Sequence, residues 1–153
     1  MENNKMKIGV VGFSKRWFDQ EAASSILERA IKSWVKETNK DQVEIVSGLT
    51  NAGVPKLAYE LAVRMGITTV GISARRALKV RSGIFPCDKQ ILVGLDFGDE
   101  SEAFIDYIDC LIRVGGGPQS RKEVELFKER KGLSAEELSS YLYEEEVEWF
   151  GKD

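Results

Sequence analysis

The chain has 153 residues, 42% of them hydrophobic and 31% charged, with a net charge of −3 and no histidine. That length suits one domain with a real core and is short for two. The acidic balance argues against a general nucleic-acid binder, and the missing histidines remove Ser-His, Cys-His and His-metal chemistry, leaving acid–base work to carboxylates, Lys, Tyr or water.

In chain order, the polar start Met1 to Lys7 lacks the apolar stretch of a signal peptide. Lys7 to Phe13 is short, apolar and β-branched, and reads as a buried strand. Phe18 to Lys36 carries apolar residues at helical spacing (Ala22, Ile26, Ala30, Ile31, Trp34, Val35). Val43 to Leu49 is a second strand. Pro55 to Met65 is a second helix, with proline in its first turn and Gly66 at its end. Thr68 to Ser73 is a third strand, followed by an irregular, basic stretch from Ala74 to Gln90. Ile91 to Gly94 reads as a fourth strand, Glu100 to Ile108 as a short helix, Leu111 to Val114 as a fifth strand and Pro118 to Arg130 as a helix. Ser134 and Glu137 form a capping box that predicts a last helix reaching Phe150.

Strands alternating with helices predict an α/β fold: a Rossmann-like three-layer sandwich around a central, mostly parallel sheet. Residues 1–153 are expected to form a single nucleotide-binding domain, with 133–150 as a C-terminal helix packed on it. Two cysteines, Cys87 and Cys110, make neither a disulfide framework nor a zinc site. No run approaches membrane-spanning length. The expectation is a reduced, cytoplasmic protein with no membrane partner, no metal and no required cofactor.

Ligands in such sheets bind beyond the carboxyl ends of the strands, where strand order reverses. Three small-residue loops fall at that edge. Gly12-Phe13-Ser14 follows the first strand, where a glycine and a serine are equally well explained as a turn. Ser47-Gly48-Leu49-Thr50-Asn51-Ala52-Gly53 follows the second. It offers Ser47, Thr50 and Asn51 to a ribose or phosphate, although Asn51 could instead cap the next helix. Gly115-Gly116-Gly117-Pro118-Gln119-Ser120 follows the fifth. Three consecutive glycines cost chain entropy, and a helix starts just beyond them, so this loop is expected to cradle an anion. None of the loops is a GxGxxG fingerprint or a Walker P-loop. The nucleotide-binding set is therefore Gly12, Ser14, Gly48, Thr50, Asn51, Gly53, Gly115, Gly116, Gly117, Gln119 and Ser120.

The order of these loops resembles the LOG-like superfamily of Rossmann-type nucleotide binders. That superfamily includes the cytokinin-activating phosphoribohydrolases, once called lysine decarboxylases, and the molybdenum-cofactor carrier proteins. Ser47 to Ala58 resembles its first glycine-rich element, and Asp109 to Glu123 its PGGxGTxxE motif. The likeness spans about Lys7 to Lys131. Gly115 stands where the motif has proline, Gln119 where it has glycine and Ser120 where it has threonine. Glu123 matches the catalytic glutamate. The partner arginine of the phosphoribohydrolases would fall near Glu100, yet Asp99 to Tyr107 contains no arginine or lysine.

Two functions follow. The first is binding of a nucleotide or other phosphorylated small molecule, with the phosphate held by the Gly115–Ser120 loop. The alternative is a phosphoribohydrolase that cleaves the N-glycosidic bond of a nucleoside 5′-monophosphate, with Glu123 stabilising charge on the ribose and orienting water. Glu123 has a plain explanation too, since acidic residues are favoured early in a helix. The missing arginine places hydrolysis second. A third reading comes from Ile45 to Leu49, which is similar to DNA-processing proteins of the superfamily that bind single-stranded DNA. The acidic balance weighs against it and against nucleic-acid partners.

The basic residues Arg75, Arg76, Lys79 and Arg81 read as a solvated loop, with an anion clamp as the alternative. Lys15 and Arg16 are better placed for a phosphate, and are equally well explained as surface charges flanking Trp17. The expected last helix carries Leu138, Tyr141, Leu142 and Trp149 on one face and Tyr143, Val147 and Phe150 on another. Core packing explains that surface, with a dimer interface as second reading. The resemblance implies a homo-oligomer, a dimer or larger.

Overall fold

The computed structural model describes residues 5–35 and 39–151. Residues 1–4 of the polar start and Lys36, the last residue of the expected first helix, lie outside them. The elements are β1 (Met6–Gly12), α1 (Gln20–Val35), β2 (Val43–Ser47), α2 (Gly53–Met65), β3 (Thr68–Ser73), β4 (Lys89–Leu92), α3 (Ser101–Tyr107), β5 (Cys110–Val114), α4 (Pro118–Lys131), α5 (Ala135–Leu138) and β6 (Leu142–Glu145).

All strand pairs are parallel, in the order β4-β3-β2-β1-β5-β6. The central strands are apolar on both faces because both faces are covered. Neighbouring residues of one strand enter opposite cores. Val10, Ile45 and Ile112 pack with Leu27, Ile31, Ala58 and Ala62 of α1 and α2. Val11, Val46 and Leu111 pack with Phe104, Ile105, Val124 and Phe127 of α3 and α4. This is the three-layer α/β sandwich expected from the alternation. Successive strands run outward from β1 to β4, and the chain then returns to the other side of β1 with β5. The strand order reverses between β1 and β5, which places the crevice of the sheet at the mouths of those two strands.

The last helix is a correction. The capping box forms, with Ser134 accepting from the Glu137 N–H and the Glu137 side chain accepting from the Ser134 N–H. The helix nevertheless stops at Leu138, and Leu142–Glu145 continues as strand β6 beside β5. Two captures explain this. The Leu111 N–H donates to the Tyr141 carbonyl at 2.8 Å, and Trp34 Nε1 donates to the Ser140 carbonyl at 3.1 Å. Carbonyls that a longer helix would use are held by the sheet and by α1. Residues expected on helix faces are redistributed accordingly. Leu138 and Leu142 pack on the α3–α4 side, Tyr143, Val147 and Trp149 pack on the α1–α2 side, and Tyr141 and Phe150 are exposed. No apolar helix face exists there to serve as the dimer interface read from the sequence.

One buried side chain ties the fold to the site edge. Tyr59 of α2 is fully buried, and its hydroxyl lies 2.9 Å from the Gly48 carbonyl and 3.0 Å from the Val70 carbonyl. Its one proton serves both acceptors, joining α2 to the loop after β2 and to the middle of β3. Tyr59→Phe leaves two buried carbonyls without that donor. It is expected to lower stability by about 1–3 kcal/mol, measured by urea unfolding, with the far-ultraviolet circular dichroism of the native state unchanged.

Candidate functional site

The three small-residue loops meet at the mouth of β1. Gly12 ends β1 so close to β5 that a Cβ would lie 2.2 Å from the Val114 carbonyl oxygen. The Phe13 carbonyl then accepts the Val54 N–H at 2.7 Å, fixing the start of α2. On its other side the Phe13 ring lies under Gly115, where a Cβ would sit 2.3 Å from it, and stacks on Phe18 and Trp149 at 5.3 and 4.9 Å between centroids. Ser14 follows, exposed. The β1 loop is therefore the wedge between the β2 and β5 loops.

At β5 the chain turns through two left-handed glycines, Gly115 at φ +57° and Gly116 at φ +103°. A side chain at Gly116 would meet Ser120 Oγ at 2.7 Å. Gly117 caps α4 with no side-chain partner, and Pro118 takes the first helical position, where its missing N–H costs nothing. The Gly115 N–H donates to the Glu145 carbonyl at 2.8 Å. Among the described residues, no protein group accepts from the N–H of Gly116, Gly117, Gln119 or Ser120. These four amides stand at the positive end of a 14-residue helix. Gly117 and Gln119 are exposed, while Gly116 and Ser120 are buried.

Side chains around this end are engaged with one another. Ser120 Oγ donates to the Gly12 carbonyl at 3.1 Å, locking α4 to the β1 loop. Glu123, also buried, sits in the second turn of α4, so the preference for acids in a first helical turn does not account for it. Its carboxylate accepts from Ser101 Oγ at 3.0 Å and from Gln119 Nε2 at 3.5 Å. Gln119 Nε2 also reaches Glu100 at 3.4 Å, and Glu100 accepts the Gly98 N–H at 2.9 Å. Two buried carboxyls, Glu100 and Glu123, thus share one amide. Burial pushes the Glu123 carboxyl up to about 7; the Ser101 and Gln119 hydrogen bonds oppose that rise, and the Glu100 charge adds to it. Sequence reading marked Glu100 only as the place of a missing arginine. The structure puts a buried carboxylate there.

Arg113 supports the glycine turn from below. Buried at the end of β5, it donates to the Gly115 carbonyl at 2.8 Å, to Glu144 at 2.7 Å and to Glu146 at 3.0 Å. Arg121 of α4 grips Glu146 as well. Strand β6 is thus what braces the loop. The motif comparison left Arg113 unassigned, because its partners lie in residues read as helix.

The β2 loop is only partly free. Ser47 is spent on the Val10 carbonyl at 2.5 Å. Thr50 pairs with Ile84, the Asn51 N–H donates to the Gly83 carbonyl at 3.1 Å, and the Phe85 N–H donates to the Leu49 carbonyl at 2.7 Å. Residues 83–85 therefore lie along this loop, a cover the sequence did not announce. Ala52, not Asn51, caps α2. Asn51 Oδ1 is buried and has no hydrogen-bond donor among the described residues. Gly48 remains open on its Cα side, where a Cβ would touch only Ser73 Oγ, at 3.4 Å. Gly53, at φ +69°, is buried against the Phe13–Ser14 backbone and serves close packing.

Among the described residues no three His, Cys, Asp or Glu side chains converge as a metal site would need, and no helix is long and apolar enough to cross a membrane. Both thiols are raised by burial, Cys87 to about 11 and Cys110 to about 12, so neither is a reactive thiolate near neutral pH.

Neither a family model nor a curated protein matches the chain. Solved structures do. The molybdenum cofactor carrier protein of Chlamydomonas reinhardtii aligns with a TM-score of 0.64 at 21% identity, covering 92% of this chain and 89% of the carrier. A second structure of that carrier gives 0.64 at 22%, covering 92% and 88%. The structural-genomics target TM1055 gives 0.63 at 21%, covering 82% of this chain and 69% of its own. At these identities the likeness is one of fold, and it is the fold that the resemblance implied.

Proposed function

We propose that the chain binds a phosphorylated small molecule, such as a nucleotide, with its phosphate on the amides of Gly116 to Ser120, and does not hydrolyse it. The observation that carries the reading is the set of four N–H groups without acceptors at the start of α4, beside the point where strand order reverses. Asn51 Oδ1 supports it as a buried acceptor suited to a ligand hydroxyl or N–H. The fold neighbour from Chlamydomonas is, by its name, a carrier rather than a hydrolase. For this chain, that makes the molybdenum cofactor one ligand to test.

Hydrolysis has one observation in its favour. A carboxyl near 7 inside a site is suited to acid–base work at neutral pH. Against it stands Glu100, a buried carboxyl near the place where the phosphoribohydrolases have their arginine.

A thermal-shift panel of inorganic phosphate, nucleoside 5′-monophosphates, diphosphates and the molybdenum cofactor tests the reading. A true ligand at a hundred times its Kd adds about 2.7 kcal/mol, a rise in Tm of roughly 5–10 °C for a domain of this size. No ribose 5-phosphate should appear over hours. A panel that moves Tm by less than a degree defeats the binding reading, while release abolished in Glu123→Gln establishes the second. The homo-oligomer implied by the resemblance is a separate proposal, which sedimentation velocity decides.

A further inference from the structure

We propose that a second anion-binding surface lies at the mouth of β3 and holds the far end of the same ligand: an elongated small molecule with an anionic group at each end. The proposal rests on the phosphate reading above and extends it to a class of ligand.

The turn Arg75–Lys79 and the loop after β4 form an open depression whose walls include Arg75, Arg76, Lys79, Leu78 and Leu95. Its backbone donors are spent, since the Arg75 N–H donates to the Gly94 carbonyl and the Arg76 N–H to the Leu95 carbonyl. Side chains alone are left to recognise a ligand. Arg76 is matched by Asp96 at 2.9 Å. Arg75 and Lys79 are exposed and, among the described residues, have no carboxylate within 4.0 Å. Arg81, just beyond, is in the same condition. Unmatched cations gathered in a chain of net charge −3 are a local reversal of sign that favours an anion. Leu78 and Leu95, 50% and 67% exposed, add an apolar wall that a bare phosphate would not use. An anionic group on a carbon skeleton satisfies both features.

The spacing links this surface to the first site. The mouths of β3 and β5 are separated by β2 and β1, hence by three strand spacings, or about 14 Å. Gly48, open on its Cα side, and Asn51, with its buried unmatched acceptor, follow β2, which lies between β3 and β1 in the sheet. One phosphate on the α4 amides and a second anion on Arg75 and Lys79 would therefore lie farther apart than two phosphates on one ribose.

Alkanediol bisphosphates serve as rulers in calorimetric titrations of the full chain. Octanediol bisphosphate, long enough to reach both surfaces, is expected to bind at least about tenfold tighter than propanediol bisphosphate or inorganic phosphate, through effective concentration. The double variant Arg75→Ala/Lys79→Ala is expected to lose that advantage while binding inorganic phosphate as the wild type does. Equal affinities for the two rulers overturn the proposal, as does an advantage that survives in the double variant. If neither phosphate nor ruler binds the wild type, the phosphate reading itself has failed. A long ruler that binds through Arg75 and Lys79 but is not displaced by phosphate points to an independent second site and also overturns the bridging ligand.

Discussion

Glu123→Gln is expected to make the protein more stable at pH 8 and almost unchanged in stability at pH 4. Burial raises the Glu123 carboxyl from 4.5 to about 7 in the folded chain. The folded state then holds a proton that the unfolded state releases. Stability from this group is full below about 4.5, falls as pH rises, and is lost once the folded carboxyl ionises near 7. The interval corresponds to about 3 kcal/mol. Glutamine abolishes the titration and keeps the geometry: its oxygen can accept from Ser101, and its amide faces the Glu100 carboxylate across Gln119. Urea unfolding of both proteins at pH 4, 6 and 8 should show curves that diverge with pH. A constant difference would mean that buried charge is not what Glu123 contributes. The same carboxyl links to the ligand, because an anion at the start of α4 favours the proton on Glu123. Phosphate affinity should therefore weaken in the wild type as pH passes through about 7, and weaken less in the variant.

Gly53→Ala is expected to damage the site and the fold together. Gly53 has φ +69°, and an added Cβ would lie 2.2 Å from the Phe13 carbonyl oxygen, 2.6 Å from Ser14 C and 2.7 Å from Ser14 Cα. All three are backbone atoms, so the β1 loop itself must move. The left-handed backbone costs about 1–2 kcal/mol for alanine, and overpacking adds about 1–3 kcal/mol. Gly66→Ala is the matched control. Gly66 has φ +73° at the end of the same helix, and nothing lies within 4 Å of the added atom. Gly66→Ala should show the conformational cost alone and leave phosphate binding intact. Gly53→Ala should exceed it by 1 kcal/mol or more and weaken phosphate binding, because displacing Phe13 disturbs Gly115 above its ring. Equal midpoints in urea would show that close approach at the β1 loop is not required.

The layered fold was legible because parallel strands buried on both faces read as short apolar runs between amphipathic helices, and β3 matches its expected limits at both ends. Strand β6 was not legible. Its residues, Leu142-Tyr143-Glu144-Glu145, are half acidic, and local periodicity there favours a helix. What makes it a strand is remote: Glu144 and Glu146 meet a buried guanidinium on β5, and Tyr141 meets the Leu111 N–H. Glycine spacing marked the β5 loop correctly as a turn into a helix, since glycine adopts the positive φ values found at Gly115 and Gly116 without steric cost. It could not reveal that Ser120 is turned onto Gly12, that Gln119 spans two carboxyls, or that residues 83–85 lie along Thr50 and Asn51. Those facts depend on which distant segments become neighbours, and no local pattern encodes them.

The place of β6 in the chain sets an order of assembly. A growing polypeptide completes β1, β2 and the glycine turn well before residues 142–146 are synthesised. Until those residues arrive, Arg113 lacks its two carboxylates, the Gly115 N–H lacks its acceptor, and β5 is a bare edge. The bracing of the β5 loop thus waits on residues 142–146, and until they dock the loop has neither its guanidinium brace nor its neighbouring strand.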